Sequence, residues 1–337
     1  MKRDSSIDLM RFIGLTMIIL AHIGLSMTTS PLFQFRSFDV PLMVFTSGLA
    51  FAGKQTGPYL SFIGRRTLRL IVPVFLFVSV YILLNPVLSE LGWVSAYAKE
   101  KICGTYMLRL QPSIGYVWVI RVFLIVMLLT PMLLWLDRKI KQDWACVALI
   151  GFFVAVQQGL AMWLKTSENI LIKDWVLYVF GYSAVFLLGL RAKRLSVPAL
   201  IAVSAVLAVL VVGTAVYMDH EYGTIMRLQA NKYPPRLYYL LWGMCMSCLL
   251  WLTSGIWKRV LDNSLFTFIG RNTIWIYLWH IPLVNIAVGG PLDHWHLGLK
   301  YAFVYLGALG LYGVQYYLVK KADARWKNNR ITKYFVG

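Results

Sequence analysis

Arg11 and His22 are the two residues of the first apolar segment whose side chains could do chemistry. They lie in residues 7–29, IDLMRFIGLTMIILAHIGLSMTT, a stretch long enough to cross a lipid bilayer. At about 100° per residue their spacing brings them to the same helix face, roughly 16 Å apart along the axis. Such a helix offers a permanent cation near one membrane surface and a proton-transfer group deeper in the membrane. Because ionisable residues are costly at that depth, both are candidate functional residues.

Asp8 lies three residues before Arg11 and completes this first group of candidates. Residues at i and i+3 are neighbours on a helix, so Asp8 could hold Arg11 in place or mark a helix interface. A neutral His22 can accept a proton from a hydroxyl and release it again. Structural explanations are also open, because an arginine near a helix end can extend to the headgroups and a histidine can bond to a neighbouring helix.

A dense basic sequence, GRRTLRL, opens a later apolar segment. It places Arg65, Arg66 and Arg69 within five residues at a helix start. The planar fork of arginine suits bidentate recognition of phosphate. The alternative is that the three side chains anchor the helix to anionic headgroups.

Two more segments carry ionisable residues inside apolar sequence. Arg121, with Trp118 one turn away, lies within YVWVIRVFLI and must face protein, water or substrate. His280 follows Arg271 by nine residues in IGRNTIWIYLWHIP, about 13 Å deeper along a helix. His280 could equally be a packing residue whose ring bonds to a neighbour.

The composition requires a membrane to surround these segments. Of 337 residues, 59% are hydrophobic and 14% charged, and the mean hydropathy is +0.66. Soluble domains carry about 25% charged residues. The sequence therefore predicts an all-α, polytopic transmembrane helical bundle of about ten spans. The predicted spans are residues 7–29, 37–54, 67–86, 114–136, 143–163, 174–190, 197–218, 235–254, 265–288 and 298–320.

The distribution of charge predicts the orientation of the bundle. The net charge is +19, and most Lys and Arg residues fall in alternate short loops. By the positive-inside rule both termini are cytoplasmic, so the excess charge is a topology signal and no nucleic-acid partner is expected. We expect one integral-membrane domain over residues 1–337, with no cleaved signal peptide and no fused soluble domain.

The quoted segments resemble those of the membrane-bound acyltransferase-3 family. IDLMRFIGLTMIILAH is similar to its opening signature, and FDVPLMVFTSGLAF to its second-helix segment ending in Ser-Gly, here Ser47 and Gly48. The basic segment GRRTLRLIVPVF, the Trp-containing segment YVWVIRVFLI and the late segment IGRNTIWIYLWHIP follow in family order. The resemblance covers nearly the whole chain.

The resemblance implies an acyltransferase of the bacterial cytoplasmic membrane, working on groups other than aminoacyl groups. The implied donor is a cytoplasmic acyl-CoA, most simply acetyl-CoA, although succinyl or another short acyl group stays open. The implied acceptor is a hydroxyl of an envelope or extracellular carbohydrate or glycolipid. His22 and Arg11 match the essential histidine and arginine of the family, and Arg66 and Arg69 its donor-handling basic positions.

These residues suggest a mechanism in which acyl-CoA is a co-substrate and neither a metal nor a permanently bound cofactor is expected. Arg65, Arg66 and Arg69 bind the phosphates, and the pantetheine arm follows the Arg11–His22 face. His22, supported by Arg11 and Asp8, acts as a general base or a transient acyl carrier. The expected substrate-binding residues are Arg121, Trp118, His280 and Ser47. Of these, Arg121 or His280 could stabilise the oxyanion.

The rival class is a proton-coupled exporter of an envelope lipid or sugar, with His22 and His280 as a relay. Transporters of this kind usually use a carboxylate in the middle of a span, and none is evident in the sequence. Binding or hydrolysis of acyl-CoA separates the two classes. Membrane lipids surround the protein in either case, and the oligomeric state is not predicted.

Overall fold

The chain folds into helices, as a computed structural model describes it over residues 4–24, 31–225, 227–325 and 332–336. Throughout these residues the only regular secondary structure is helical, which confirms the predicted all-α class. The helices are α1 Ser5–His22, α2 Pro31–Phe35, α3 Asp39–Phe51, α4 Tyr59–Glu90, α5 Lys99–Tyr106, α6 Trp118–Lys139, α7 Asp143–Trp163, α8 Leu177–Ala192, α9 Val197–Tyr222, α10 Leu237–Leu252, α11 Ser254–Leu261, α12 Ser264–Arg271, α13 Thr273–Ala287 and α14 Leu297–Arg325.

Seven helical segments of the described chain are long and apolar enough to cross a bilayer. Three predicted spans are shorter or interrupted. Span 37–54 corresponds to α3 of 13 residues, span 235–254 to α10, which bends by 70° into α11, and span 265–288 to α12 and α13. The protein is therefore a multi-pass helical membrane protein, whereas the count of ten spans and the orientation of the termini stay predictions.

Two predicted boundaries differ from the observed ones. Helix α1 ends at His22, and residues 25–29 of the predicted first span lie outside the described residues. Helix α6 begins at Trp118 rather than at residue 114, since Gly115 has a positive φ of 90° and residues 107–117 form a loop. Arg121 consequently lies in the first turn of α6, not deep within it.

The helices divide into central and peripheral ones. The segment Ile172–Ala192 contains α8, and 78% of its most apolar window is buried. In α9 and in α14 only 22% of the corresponding window is buried. Helices α1, α3, α8 and α10 pack against one another at the centre. Apolar side chains of α9 such as Val209 and Val212 are exposed, as expected of a lipid-facing helix.

The contact between α3 and α8 depends on glycine. A Cβ at Gly48 of α3 would lie 2.3 Å from the backbone oxygen of Phe186, and one at Gly189 of α8 would lie 2.2 Å from that of Phe45. Small residues allow membrane helices to approach this closely. Gly48 therefore determines how α3 packs against α8, and with it the position of the neighbouring Ser47.

Candidate active site

A cavity of about 380 Å³ at the Arg11 end of α1 collects basic residues from four separate segments. Its wall contains the cations Arg11, Arg66, Arg69, Arg271 and Lys333. The remaining wall is formed by Ser47, Phe51, Leu70, Pro73, Phe123, Val126, Met127, Thr130, Phe186, Ile274 and Val336. We call it the basic cavity. A concentration of cations in one partly enclosed space suits a ligand with several negative charges.

The contact between α1 and α12 builds one side of the basic cavity. Gly270 makes it possible, because a Cβ there would lie 1.8 Å from the backbone oxygen of Asp8. The next residue, Arg271, donates through Nε to Oδ2 of the buried Asp8 at 3.0 Å. Arg11 lies 3.9 Å from the other carboxylate oxygen. Asp8 thus orients two arginines at once, which combines the two roles that the sequence left open for it.

A second, narrower space continues from the basic cavity towards His22. It measures about 200 Å³, and its wall shares Arg11, Ser47, Leu70, Phe123 and Ile274 with the basic cavity. We call it the narrow cavity. Its other lining residues are Leu15, Ile18, Met43, Val119, Ile120, Thr273 and Tyr277.

The narrow cavity follows the predicted functional face of α1. Arg11, Leu15 and Ile18 are spaced by four and three residues along this wall, and His22 is the next position on the same stripe. Tyr277 also lines the cavity, and its ring centroid lies 6.4 Å from that of His22, which is not itself a lining residue of either cavity. The two cavities therefore lead from the cations to the aromatic side chain beside His22.

His22 forms a hydrogen-bonded pair with His280. Nδ1 of His22 lies 2.8 Å from Nε2 of His280, and the two rings stack with centroids 5.1 Å apart. His280 is fully buried, and its Nδ1 bonds to the backbone oxygen of Tyr277. Tyr116 covers the His22 ring from another side, with centroids 4.4 Å apart. Two sequence candidates on different helices are thus brought together.

The hydrogen bonds of this pair determine which nitrogen of His22 is available. The oxygen of Tyr277 only accepts, so Nδ1 of His280 carries the proton and donates. In neutral His280, Nε2 is then an acceptor, and Nδ1 of His22 donates to it. This leaves a lone pair on Nε2 of His22. A nitrogen in that state is able to accept a proton or attack a carbonyl carbon.

A buried charge cluster, Arg36, Asp39 and Lys232, lies near His22 and was missed by the sequence reasoning. Arg36 is 2.5 Å from Oδ2 of Asp39, and Nζ of Lys232 is 3.4 Å from Oδ1. All three side chains are buried. Both cations are close enough to exert a Coulombic effect on the His22 imidazole. The cluster therefore adds positive potential at this end of α1.

Part of this cluster could have been found from sequence. Arg36 and Asp39 are three residues apart beside an apolar segment, the same spacing as Asp8 and Arg11. Lys232 could not, because it comes from the loop before α10 and its burial depends on the fold. Burial lowers the pKa of Lys232, whereas the neighbouring carboxylate of Asp39 opposes this shift.

Arg121 belongs to a different polar cluster. Its NH1 bonds to Oδ1 of Asp174 at 3.0 Å and to the backbone oxygen of Leu108 at 2.9 Å, and its guanidinium lies over the ring of Tyr178. Arg109 binds the other oxygen of Asp174 at 3.2 Å. The neighbours Val119, Ile120 and Phe123 line the narrow cavity, and Arg121 does not. The structure gives Arg121 a protein partner and does not bring it to His22.

The remaining sequence candidates have separate positions. Trp118 is buried between Tyr178 and Tyr233, with ring centroids 6.2 and 5.0 Å away, so it packs rather than lines either cavity. Arg65 is exposed, bonds to Ser61 on its own helix and lies outside the basic cavity wall. Ser47 lines both cavities while its hydroxyl donates to the backbone oxygen of Met43 at 3.0 Å.

Comparison with known proteins identifies the family of the chain. The model of the acyltransferase-3 family, described as an acyltransferase domain, matches residues 4–317. The chain belongs to the acyltransferase-3 family. No curated protein matches it significantly. Membership makes the molecule a multi-pass membrane acyltransferase, and the cavities, the histidine pair and the charge cluster all lie within the matched residues, apart from Lys333 and Val336.

Proposed function

We propose that this acyltransferase moves a short acyl group, most simply acetyl, from acyl-CoA to a hydroxyl of an envelope carbohydrate or glycolipid. One observation carries the proposal. Two cavities with shared walls lead from a cluster of cations along α1 to the tyrosine beside the His22–His280 pair. A long donor with several phosphates at one end and a reactive thioester at the other fits that arrangement.

The donor end of the proposal rests on Arg11, Arg66, Arg69 and Arg271. Their charges converge on the basic cavity, and charge-assisted hydrogen bonds to phosphate are about twice as strong as neutral ones. Arg65 is not one of these phosphate-binding residues, because its side chain bonds to Ser61 and does not line the basic cavity. Under the predicted orientation this cavity is open to the cytoplasm, where acyl-CoA is found.

The acyl end of the proposal rests on the narrow cavity. Its small volume of about 200 Å³ and its apolar wall suit the end of a pantetheine arm with a short acyl group. The acceptor hydroxyl meets the thioester at His22, at the end of α1 opposite to the basic cavity. This separation of donor and acceptor along one helix is what transfer across a membrane requires.

The reaction begins with the free lone pair on Nε2 of His22. In the direct route, Nε2 accepts the hydroxyl proton as the acceptor oxygen forms a bond to the thioester carbon. The carbon–sulfur bond then breaks, and the proton passes to the departing CoA thiolate. In the two-step route, Nε2 attacks the thioester carbon and the CoA thiolate leaves, which gives an acyl-imidazole. The acceptor oxygen then takes the acyl group as the bond to Nε2 breaks, and its proton passes to the CoA thiolate. His280 is a positioning residue in both routes.

The positive charge of Arg36 and Lys232 has a role in either route. Negative charge develops on the carbonyl oxygen, and preorganised cations in a water-poor site stabilise it. The sequence had suggested Arg121 or His280 for this task. Arg121 is not brought to His22, and His280 is already bonded to His22 and Tyr277. The charge cluster lies near His22 and is therefore the better candidate.

The test uses the purified protein in lipid nanodiscs with acetyl-CoA alone, because slow transfer to water needs no acceptor. We expect the wild type to bind acetyl-CoA and to release CoA thiol. In His22→Ala we expect the thiol release to fall by about 100- to 10,000-fold, with binding changed less than about twofold. His220→Ala, at an exposed histidine outside the site, is the matched control and should behave as the wild type.

Two results would overturn the proposal. Unchanged thiol release in His22→Ala would remove the imidazole from the reaction. A wild type that neither binds nor hydrolyses acetyl-CoA would favour the exporter instead. Labelling from acetyl-CoA that stays on the protein after denaturation, and that is lost in His22→Ala, would select the two-step route.

A further inference from the structure

We propose that the C-terminal segment 332–336, which lies beyond the family match, is a wall of the donor site and that Lys333 binds a phosphate of the acyl-CoA nucleotide. The inference rests on the proposed function and extends it to residues that the family model does not contain. The match ends at residue 317. Lys333 and Val336 nevertheless line the basic cavity together with Arg11, Arg66 and Arg69.

Specific contacts attach this segment to the bundle. The indole of Trp275 donates to the backbone oxygen of Tyr334 at 3.0 Å and stacks on the ring of Phe335, with centroids 5.8 Å apart. Gln315 donates to the backbone oxygen of Phe335 at 2.8 Å. Trp275 and Gln315 belong to α13 and α14, so the segment bridges two helices beside the cavity.

A further contact fixes the beginning of the segment. Thr332 donates through its hydroxyl to Oδ1 of Asp323 near the end of α14 at 2.8 Å. Lys333 follows at once, and its exposed side chain is on the cavity side. Contacts at both ends of the short helix Thr332–Tyr334 hold the backbone of Lys333 at the cavity wall, and its ammonium lies over the ring of Tyr334, 5.1 Å from the centroid.

The segment also borders an adjoining space. This cavity of about 400 Å³ is lined by Ser264, Thr267, Phe268, Arg271, Asn272, Tyr316, Lys320 and Val336. It shares Arg271 and Val336 with the basic cavity and adds one further lysine, Lys320. The nucleotide of CoA carries phosphates at two places, so cations in two adjoining cavities suit its shape.

The charges of the basic cavity support this role for Lys333. Five cations line one space, and their mutual repulsion is relieved by a ligand with several negative charges. Asp8 binds two of the five, Arg11 and Arg271, so Lys333 joins Arg66 and Arg69 in offering positive charge to that ligand. The ammonium group of a lysine attracts a phosphate as a point charge does, so an exposed lysine side chain can still bind one.

The experiment measures the affinity of the full-length protein in nanodiscs for acetyl-CoA and for acetyl-pantetheine, which lacks the nucleotide. Lys333→Ala should weaken binding of acetyl-CoA by about fivefold, as an exposed ion pair allows, and Lys333→Glu by more. Binding of acetyl-pantetheine should not change. The matched controls are Lys321→Ala and Lys321→Glu, at an exposed lysine of α14 outside all three cavity walls.

Ionic strength gives a second readout that a merely structural role would not move. Because salt screens charge attraction, wild-type affinity for acetyl-CoA should fall as salt rises, and less steeply in Lys333→Ala. Equal affinity and equal salt dependence in wild type and both Lys333 variants would overturn the inference while leaving the proposed function intact. Failure of the wild type to bind acetyl-CoA would overturn both.

Discussion

Arg11 and Arg121 satisfy the same sequence criterion and serve different purposes. Each is an arginine in an apolar helix. The Arg11 side chain is 24% exposed and lines both cavities, whereas that of Arg121 is fully buried and bound to Asp174. Arg11 shares its carboxylate with Arg271, so its charge is still directed at a cavity. Arg121 is bound to Asp174 and to the backbone oxygen of Leu108, lies over the ring of Tyr178, and lines neither cavity.

An ionisable residue within a membrane helix can therefore face a substrate or another residue of the protein. The cost of burying a charge shows that something in the molecule compensates it. It does not show whether the compensation is a substrate or another residue of the same chain. The direction of the side chain decides this, and the direction depends on helix packing between residues far apart in sequence.

The largest expected effect is on stability and comes from Arg121→Leu. Removing one partner of a buried ion pair leaves an uncompensated charge, which costs about 3–5 kcal/mol. Because Arg109 also binds Asp174, the lower end of that range applies. Thermal unfolding in detergent, followed by tryptophan fluorescence, should show a clear fall in midpoint.

The double variant Arg121→Leu/Asp174→Leu sharpens the comparison. It removes both charges, so part of the lost stability should return. If Arg121→Leu instead folds with wild-type stability and loses only acyl transfer, Arg121 acts on the substrate and the contrast with Arg11 disappears.

The next effect is on the donor and comes from Arg11→Gln. We expect the KM for acetyl-CoA to rise roughly 10- to 100-fold, because a hydrogen bond to a charged group contributes about 1.5–3 kcal/mol. The unfolding midpoint should change little, since Asp8 keeps its bond to Arg271. Steady-state kinetics over a range of acetyl-CoA concentrations measures this.

Arg65→Gln is the control for that experiment. Arg65 comes from the same basic sequence as Arg66 but lies outside the cavity wall, so its KM should stay within about twofold of wild type, as for exposed charges. Equal effects of Arg11→Gln and Arg65→Gln would mean that general positive charge, and not the cavity, attracts the donor.

A third effect tests the helix contact that directs Arg11 and Arg271. Gly270→Ala places a Cβ against the backbone of Asp8 and should cost about 1–3 kcal/mol of stability, as overpacking does. It should also raise the KM for acetyl-CoA, because Arg271 moves with α12. Gly255→Ala, in α11 with open space around it, should leave both quantities close to wild type. A neutral Gly270→Ala would show that α12 can move away from α1 without consequence.

Much of the fold and part of the candidate site could be predicted from local patterns in the sequence. Helical periodicity is a local property, so the apolar segments and the stripe from Arg11 to His22 could be predicted. The pairing of Asp8 with Arg271 and of His22 with His280 could not, because each joins the first helix to a segment more than 250 residues away. The predicted spans 37–54 and 265–288 are not single long helices, because α3 is short and the second span is broken at Asn272. Hydropathy does not show where a helix stops.

The same limit explains the residues that were missed or misplaced. Lys232 and Lys333 lie in connecting or terminal segments whose sequence resembles that of any solvated loop, and only the fold turns one inward and the other to the cavity. The sequence groups Arg65, Arg66 and Arg69, but the Arg65 side chain bonds to Ser61 on its own helix and does not reach the cavity wall. Two of them line the cavity and one does not.

The most direct test of the central claim is a structure of the protein with a non-hydrolysable acetyl-CoA analogue. We predict phosphates within about 3 Å of the guanidinium groups of Arg66 and Arg69, and the acyl carbon beyond Tyr277, within about 3.5 Å of Nε2 of His22. An analogue bound outside both cavities, or one whose acyl group lies away from the His22–His280 pair, would contradict the account.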